Sequence, residues 1–214
     1  SYAPDGNWSG IDSFTYTVSD AASGESLTQT VTITVNPVSD APSLAVVAAS
    51  GNEDTAIALS ISPALVDTDG SETLSIVLSG IPSGSSLTNT AGDTLTIGAN
   101  SITLTSAQLA GLKITPPANS HADFSLTVTA IATDGAAAPA STSTSLAVTV
   151  NAVVDLTAAD DTGSGAEDNA ITGSVAVGDS TTSGGLLTYV KASDPGHGAV
   201  TVAGNGNYSY APDG

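Results

Sequence analysis

Phe14-Thr15-Tyr16-Thr17-Val18-Ser19-Asp20 alternates apolar and polar side chains and ends on an acidic turn residue. Such alternation indicates a β-strand with one face against a core and the other face in water. Similar alternation recurs along the chain, separated by clusters of Gly, Asn, Asp and Pro. The further runs are 31–35, 57–61, 126–128 and 146–150. Many short strands joined by turns predict an all-β fold of antiparallel β-sandwiches. One helical turn is predicted at 106–112, with Ser106 as its N-cap.

The hexapeptide ahead of this strand is repeated at the far end of the sequence. Ser1-Tyr2-Ala3-Pro4-Asp5-Gly6 recurs as Ser209-Tyr210-Ala211-Pro212-Asp213-Gly214. Identity over six consecutive residues indicates a tandem repeat, because chance rarely produces it. We expect the chain to span one period of a longer array whose neighbouring units meet head to tail.

A second, internal repeat has a shorter spacing. The linker Val35–Asp40 aligns with Val150–Asp155, and Glu53-Asp54 aligns with Glu167-Asp168, about 114 positions apart. These alignments predict two copies of one domain type, one complete and one split across the chain ends. Residues 1–39 form the C-terminal half of a repeat, 40–151 a complete repeat, and 152–214 the N-terminal half of the next.

The charge of the chain limits the kinds of partner it can have. It carries 21 acidic residues, two lysines and no arginine, for a net charge of −19. This balance argues against nucleic acid and anionic membranes, and it favours cation binding or plain solubility. The absence of cysteine excludes disulfides, so a metal or the stacking of repeats is expected to replace them. The sequence contains no apolar run of the length that a membrane-spanning helix needs.

Several of these segments resemble a known family. Residues 208–214, followed in the sequence of the repeat by 7–20, resemble the signature of bacterial cadherin-like and Ig-like (VCBS-type) tandem repeats. Residues 31–42 resemble the linker of that family. Such repeats occur in large RTX-type, type-I-secreted surface adhesins. The resemblance implies an extracellular stalk at the bacterial cell surface, stiffened by calcium and acting in adhesion or biofilm attachment. Surface polysaccharides or host ligands would then bind through other domains.

Acidic residues gather at predicted turns and linkers, where they could hold calcium. Asp67-Thr68-Asp69-Gly70 supplies two carboxylates on a tight turn, and Glu72 follows it. Ca²⁺ takes six to eight oxygen ligands, whereas a hydrated turn would use the same residues for backbone hydrogen bonds. Counting antiparallel strands places one set of acidic residues at the N-terminal pole of the complete domain. That set is Asp40, Asp67, Asp69 and Asp134.

By the resemblance to cadherin junctions, residues of a preceding repeat complete this set, and these are Glu167 and Asp168. The same logic predicts a second junction site. Its residues are Glu53, Asp54, Asp155, Asp179 and Asp20. We expect the second site to be weaker, because no acidic residues near Asp179 correspond to Asp69 and Glu72.

Other functions receive less support from the sequence. His121 and His197 are the only histidines and lie in different units, and no hydrolase or nucleotide-binding motif occurs, so no enzyme is predicted. A carbohydrate-binding module would need an exposed aromatic strip, and the chain has eight aromatic residues in all. The remaining alternative is a self-assembling filament subunit, in which the half-domains of neighbouring chains complete one another by strand addition.

Overall fold

A computed structural model describes residues 1–213 and confirms the predicted all-β fold. The chain divides into two compact units, Ser1–Ala152 and Val153–Gly214. Ig/cadherin-like β-sandwich architecture accounts for its strands, which are joined by turns and by one short 3₁₀ helix. The finer division into two half-repeats around a complete one stays a prediction.

The first unit begins with a long hairpin. Strands β1 (Gly10–Ser19) and β2 (Ser26–Val35) pair antiparallel from Gly10 opposite Val35 to Ser19 opposite Ser26. The alternation found in the sequence puts Phe14, Tyr16 and Val18 on one face. All three are exposed, so this face has no covering sheet in the described chain.

The rest of the unit is a complete sandwich. Its strands are β3 (Ser43–Val47), β4 (Ala49–Asn52), β5 (Ile57–Ala58), β6 (Ser60–Ala64), β7 (Glu72–Ser79), β8 (Ser86–Thr88), β9 (Ser101–Thr105), β10 (Lys113–Thr115), β11 (Phe124–Asp134) and β12 (Ala140–Asn151). One sheet has the order β4-β12-β11-β7-β9, a second has the order β5-β10-β8, and β3 pairs with β6. All pairs are antiparallel except β4 with β12, which run parallel.

Both large sheets contribute to one hydrophobic core. Ile76 and Leu78 of β7 and Leu126 of β11 are fully buried, and so is Ile114 of β10 in the smaller sheet. Alternation accounts for this arrangement, because every second residue of each strand points between the sheets. Burying each such side chain stabilises the fold by about 1.5–3 kcal/mol relative to leaving it exposed.

Two local predictions differ from the structure. The alternating run 57–61 forms two strands in different sheets, because the chain leaves β5 at Leu59, whose N–H donates to Leu112 O at 2.9 Å. The helical turn is a 3₁₀ helix, Ser106–Leu109, and its N-cap is Thr105 rather than Ser106. Thr105 and Gln108 form a reciprocal capping box, which fixes the cap one residue before the predicted one.

The second unit contains fewer strands. They are β13 (Leu156–Thr157), β14 (Ile171–Ser174), β15 (Ser180–Thr181), β16 (Gly198–Val202) and β17 (Asn207–Pro212). A three-stranded sheet has the order β14-β17-β16, and β13 pairs with β15. This order repeats that of β5-β10-β8, and both sheets are antiparallel throughout.

Local packing also repeats between the two units. A Cβ atom on Gly51 would lie 2.7 Å from Ile57 Cγ1, and one on Gly165 would lie 2.6 Å from Ile171 Cγ1. Both glycines therefore let the backbone approach an isoleucine at the start of the three-stranded sheet. These matching contacts support the internal repeat that the sequence predicts.

Candidate functional site

Five acidic residues lie on the segments that meet at the N-terminal pole of the complete sandwich. Asp40 is in the linker before β3, Asp67 and Asp69 are in the β6–β7 loop, Glu72 begins β7, and Asp134 ends β11. The β7–β11 register puts Glu72 directly opposite Asp134. Asp40 donates its N–H to Glu72 Oε1 at 2.6 Å, which brings the linker to the same place.

Three of these carboxylates are buried. The exposed fraction is 2% for Asp67, 4% for Asp134 and 7% for Glu72. Glu72 Oε2 is buried and has no hydrogen-bond partner. Within residues 1–213, the ion pairs of the chain involve Glu53 and Asp194 but none of these three. Burying carboxylates opposite one another without a cation is costly, because each loses hydration and repels the other.

The loop that carries Asp67 and Asp69 is held by its own side chains. Asp67 Oδ1 accepts the N–H of Asp69 at 2.9 Å, and Asp69 Oδ1 accepts the N–H of Ser71 at 2.7 Å. Gly70 has a φ of +96°, which favours glycine. The adjacent Ser71, through its hydroxyl and its N–H, lowers the pKa of Asp69 below its ordinary value. The loop therefore favours the ionised form of Asp69.

The structure adds residues that the predicted set omitted. Glu72 belongs to the buried group, and its position after the Asp-x-Asp-Gly turn was the signal available in the sequence. A cleft of about 300 Å³ contains Asp40 and Asp134 together with Asp5, Asn7 and Trp8 from the segment before β1. No sequence pattern indicated that Asp5 would line this cleft.

The opposite pole of the sandwich contains Glu53 and Asp54, just after β4. Glu53 is buried, and its Oε2 lies 3.9 Å from Nδ1 of the exposed His121. Asp54 has a φ of +57°, and its Oδ1 accepts the N–H of Asn119 at 2.8 Å. The two acidic residues thus fix the loop that joins β10 to β11.

In the second unit, Asp155 and Asp179 lie on neighbouring segments but are used for hydrogen bonds. Asp155 Oδ1 accepts the Thr182 hydroxyl at 2.6 Å, and Asp179 Oδ1 accepts the N–H of Ala159 at 2.8 Å. Burial first, and the Asp179 side chain second, raise the pKa of Tyr189.

The remaining predicted ligands lie in exposed turns. Glu167 and Asp168 follow one another in the loop before β14, where Asp168 has a φ of +62°. Asp20 is at the tip of the β1–β2 hairpin and accepts the N–H of Ala22 and the hydroxyl of Ser23. These hydrogen bonds lower the pKa of Asp20.

In the part of the chain that the structure describes, no three Asp, Glu or His side chains are grouped as a bound metal ion would require. The N-terminal pole has oxygen donors of the type that calcium prefers, and one of them is a buried oxygen without a partner. Each of the two predicted calcium-ligand sets combines residues of the first unit with residues of the second. The two sets therefore stay predictions.

Comparisons with known proteins give one short match and one loose one. The family model for bacterial Ig domains matches residues 1–34, which hold β1 and nearly all of β2. Among curated proteins, no sequence matches the chain. The structure of the extracellular cadherin domains 1–5 of protocadherin gamma B2 is 14% identical, with a TM-score of 0.33. That match covers 94% of this chain and 39% of the protocadherin chain, and the superposition is too loose to support an argument.

One further observation concerns membranes. Among residues 1–213, we find no helix with the length and apolar character needed to cross a bilayer.

Proposed function

We propose that this chain is a structural repeat of an extracellular bacterial adhesin stalk or surface filament. Calcium stiffens its domain junctions, and the assembled stalk serves cell-surface adhesion or biofilm attachment without catalysis. The bacterial Ig match at residues 1–34, the all-β sandwich and the net charge of −19 support this function.

The partnerless buried oxygen of Glu72 carries the proposal. Glu72 lies opposite the buried Asp134 and accepts a hydrogen bond from the linker residue Asp40. A divalent cation would neutralise these charges and take up the spare oxygen. Asp67 and Asp69 would supply further oxygens from the adjoining loop.

Cation binding at this pole has a mechanical consequence. Asp40 belongs to the linker between the hairpin and the sandwich, and Ser39 accepts the N–H of Asp134 at 2.9 Å. A bound ion would hold the linker against β7 and β11 in addition to these hydrogen bonds. Calcium would therefore restrict bending where one repeat joins the next, and Glu167 and Asp168 of a neighbouring repeat would complete the ligand set.

The second predicted site has less capacity for calcium. Asp179 already accepts a hydrogen bond from the N–H of Ala159, and its neighbours Thr182 and Ser183 carry no charge. We therefore assign the dominant calcium affinity to the pole that contains Glu72.

The test combines calorimetric titration, thermal unfolding and small-angle X-ray scattering. Extracellular calcium modules bind at about 10⁻⁴–10⁻³ M, so about 5 mM Ca²⁺ should occupy the site. Occupancy should stabilise the chain by about 1–2 kcal/mol relative to chelator. Scattering should show a longer, stiffer particle with calcium than without it.

Glu72→Gln and the matched control Glu25→Gln identify the site. Glu25 is exposed near the hairpin tip, so its substitution should leave calcium binding unchanged. Glu72→Gln should weaken calcium binding and also stabilise the calcium-free chain, because it removes one of two opposed buried carboxylates. Unfolding and scattering indifferent to calcium would contradict the proposal and leave the acidic residues as turn-forming groups.

A further inference from the structure

The β1–β2 hairpin has an apolar face that nothing in the described chain covers. This hairpin face consists of Phe14, Tyr16, Val18 and Leu27, whose exposed fractions range from 46% to 69%. A hairpin alone is marginally stable in water, and contiguous exposed apolar residues usually mark an interaction surface. The residues 1–34 that match the bacterial Ig model thus form only part of a sandwich.

Residues 153–213 contain no sheet complementary to the hairpin face. Their β14-β17-β16 sheet corresponds to β5-β10-β8, but no strand among residues 153–213 corresponds to β11 or β12. The segment 186–191 aligns with β7 but forms no strand, although exposed and half-buried side chains alternate along 186–190. Leu186 and Val190 are 96% and 87% exposed. This segment is a strand-like edge without a partner strand.

The complete sandwich shows which element covers such an edge. There β7 pairs with β11, and β11 forms a hairpin with β12. Strand β11 has the same alternation as β1, so that Val128, Ala130 and Ala132 correspond to Phe14, Tyr16 and Val18. The three residues of β11 are fully buried. The exposed face of β1 is therefore the face that β11 buries in the complete copy.

One hydrogen bond of the complete sandwich, called the clasp here, joins two loop residues. Their counterparts lie in the hairpin region and in the second unit. Asp54 and Asn119 both have positive φ values, of 57° and 56°, and they are joined by the hydrogen bond from Asn119 N–H to Asp54 Oδ1. Asp168 and Asn7 occupy the corresponding positions, with φ values of 62° and 63°. Each half holds its side of the clasp in the required conformation. This correspondence is independent of the apolar faces.

We infer that a second copy of this chain covers the hairpin face. Residues 153–213 of one copy would receive the β1–β2 hairpin of the next, with β1 pairing against the segment 186–191 and Asn7 bonding Asp168. The hairpin face and the edge at 186–191 are different surfaces, so the contact between two copies is head to tail. The copies would grow into a linear assembly by strand addition.

One consequence rests on the proposed function, whereas the pairing itself does not. Asn7 lines the cleft that contains Asp40 and Asp134. Completing the clasp would bring Glu167 and Asp168 of the second copy beside this cleft. The calcium site would then gain its remaining carboxylates from another molecule.

The first test measures the mass of the full chain by light scattering over a range of concentrations, in chelator and in calcium. The mass should rise above 20.7 kDa without settling at a fixed stoichiometry. Phe14→Asp should reduce association at least tenfold, because it puts a charge on the hairpin face. Thr15→Asp, on the opposite face of the same strand, should not. A chain that stays monomeric in both conditions overturns the inference, and association lost only in chelator indicates that calcium, too, is required.

The second test determines the register by disulfide cross-linking, which is clean because the chain has no cysteine. Ile131 lies opposite Ser75 in the complete sandwich. The corresponding residues are Thr17 and Thr188, since the half-buried Leu187 and Tyr189 align with the inward-facing Leu74 and Ile76. We expect a mixture of the single variants Thr17→Cys and Thr188→Cys to form a mixed dimer, identified by peptide mass spectrometry.

Two further single variants make the outcome decisive. Ser19→Cys detects a pairing of β1 with 186–191 that is shifted by two residues along β1. This register is included because the β1–β2 and β11–β12 loops differ in length. Thr28→Cys is the control, since Thr28 lies opposite Thr17 one strand further away. The extra strand adds about 4.8 Å to the distance from Thr188, which then exceeds the span of a disulfide. Equal cross-linking of Thr188 to Thr28, or a cross-link formed only within a Thr17→Cys/Thr188→Cys double variant, overturns the inference.

Discussion

The complete sandwich and the hairpin before it have the same strand pattern but opposite burial. Leu146 in β12 is fully buried, whereas Leu27 in β2 is 69% exposed. The local sequence therefore specifies a strand and its two faces in both regions. Only a second sheet turns one of those faces into a core.

Removing a leucine from each region tests this comparison with the largest expected effect. Leu146→Ala should destabilise the sandwich by about 2–5 kcal/mol, because it leaves a cavity in the core. Leu27→Ala should change the stability of the dilute, monomeric chain by less than about 0.5 kcal/mol. Chemical denaturation followed by circular dichroism measures both. Similar losses in dilute solution would show that the hairpin is already covered within one chain.

Adding a methyl group to the repeated glycine contact compares the packing of the two units. Gly51→Ala should cost about 1–3 kcal/mol, because the new Cβ would displace the buried Ile57. Gly165→Ala meets Ile171 at a similar distance, but Ile171 is only half-buried and can move. We expect the smaller loss there, measured by hydrogen exchange of each unit. Equal losses would mean that the second unit is as tightly packed as the first.

The smallest expected effect on stability is the pH dependence of two turns that do not depend on a second sheet. The pKa values of Asp20 and Asp69 are lowered by hydrogen bonds within their own turns, below the ordinary 3.8. Because the folded pKa is the lower one, each turn's contribution to stability is present above pH 3.8 and is lost as the pH falls through the folded value. NMR titration of the two carboxyl groups should give depressed values in both regions. An ordinary value for Asp20 alone would indicate that the uncovered hairpin does not hold its turn.

Alternation and turn residues were sufficient to predict the all-β fold and the strands at 14–18, 31–35 and 146–150. They did not reveal that the run 57–61 divides at Leu59, because alternation is the same whether a strand continues or changes sheet. The helical turn was found, but its cap was placed one residue late. The capping box formed by Thr105 and Gln108 was the signal that would have corrected it.

The candidate site was less accessible to sequence reasoning. Spacing identified Asp67 and Asp69, since an Asp-x-Asp-Gly turn is local. The burial of Glu72 depends on its register opposite Asp134, 62 residues away in the chain. The cleft position of Asp5 depends on how the segment before β1 lies against the linker. Neither property follows from composition or periodicity.

The parallel pairing of β4 with β12 bears on how the sandwich resists tension. Ala49–Asn52 and Val148–Asn151 lie near opposite ends of the domain sequence, and four residue pairs join them. Pulling on the two ends would slide these strands along one another, so all four pairs would share the force and fail together. The β1–β2 hairpin, pulled at its ends, would open one pair at a time. Because forced rupture follows the unfolding rate, the sandwich should outlast the hairpin whenever the chain is stretched.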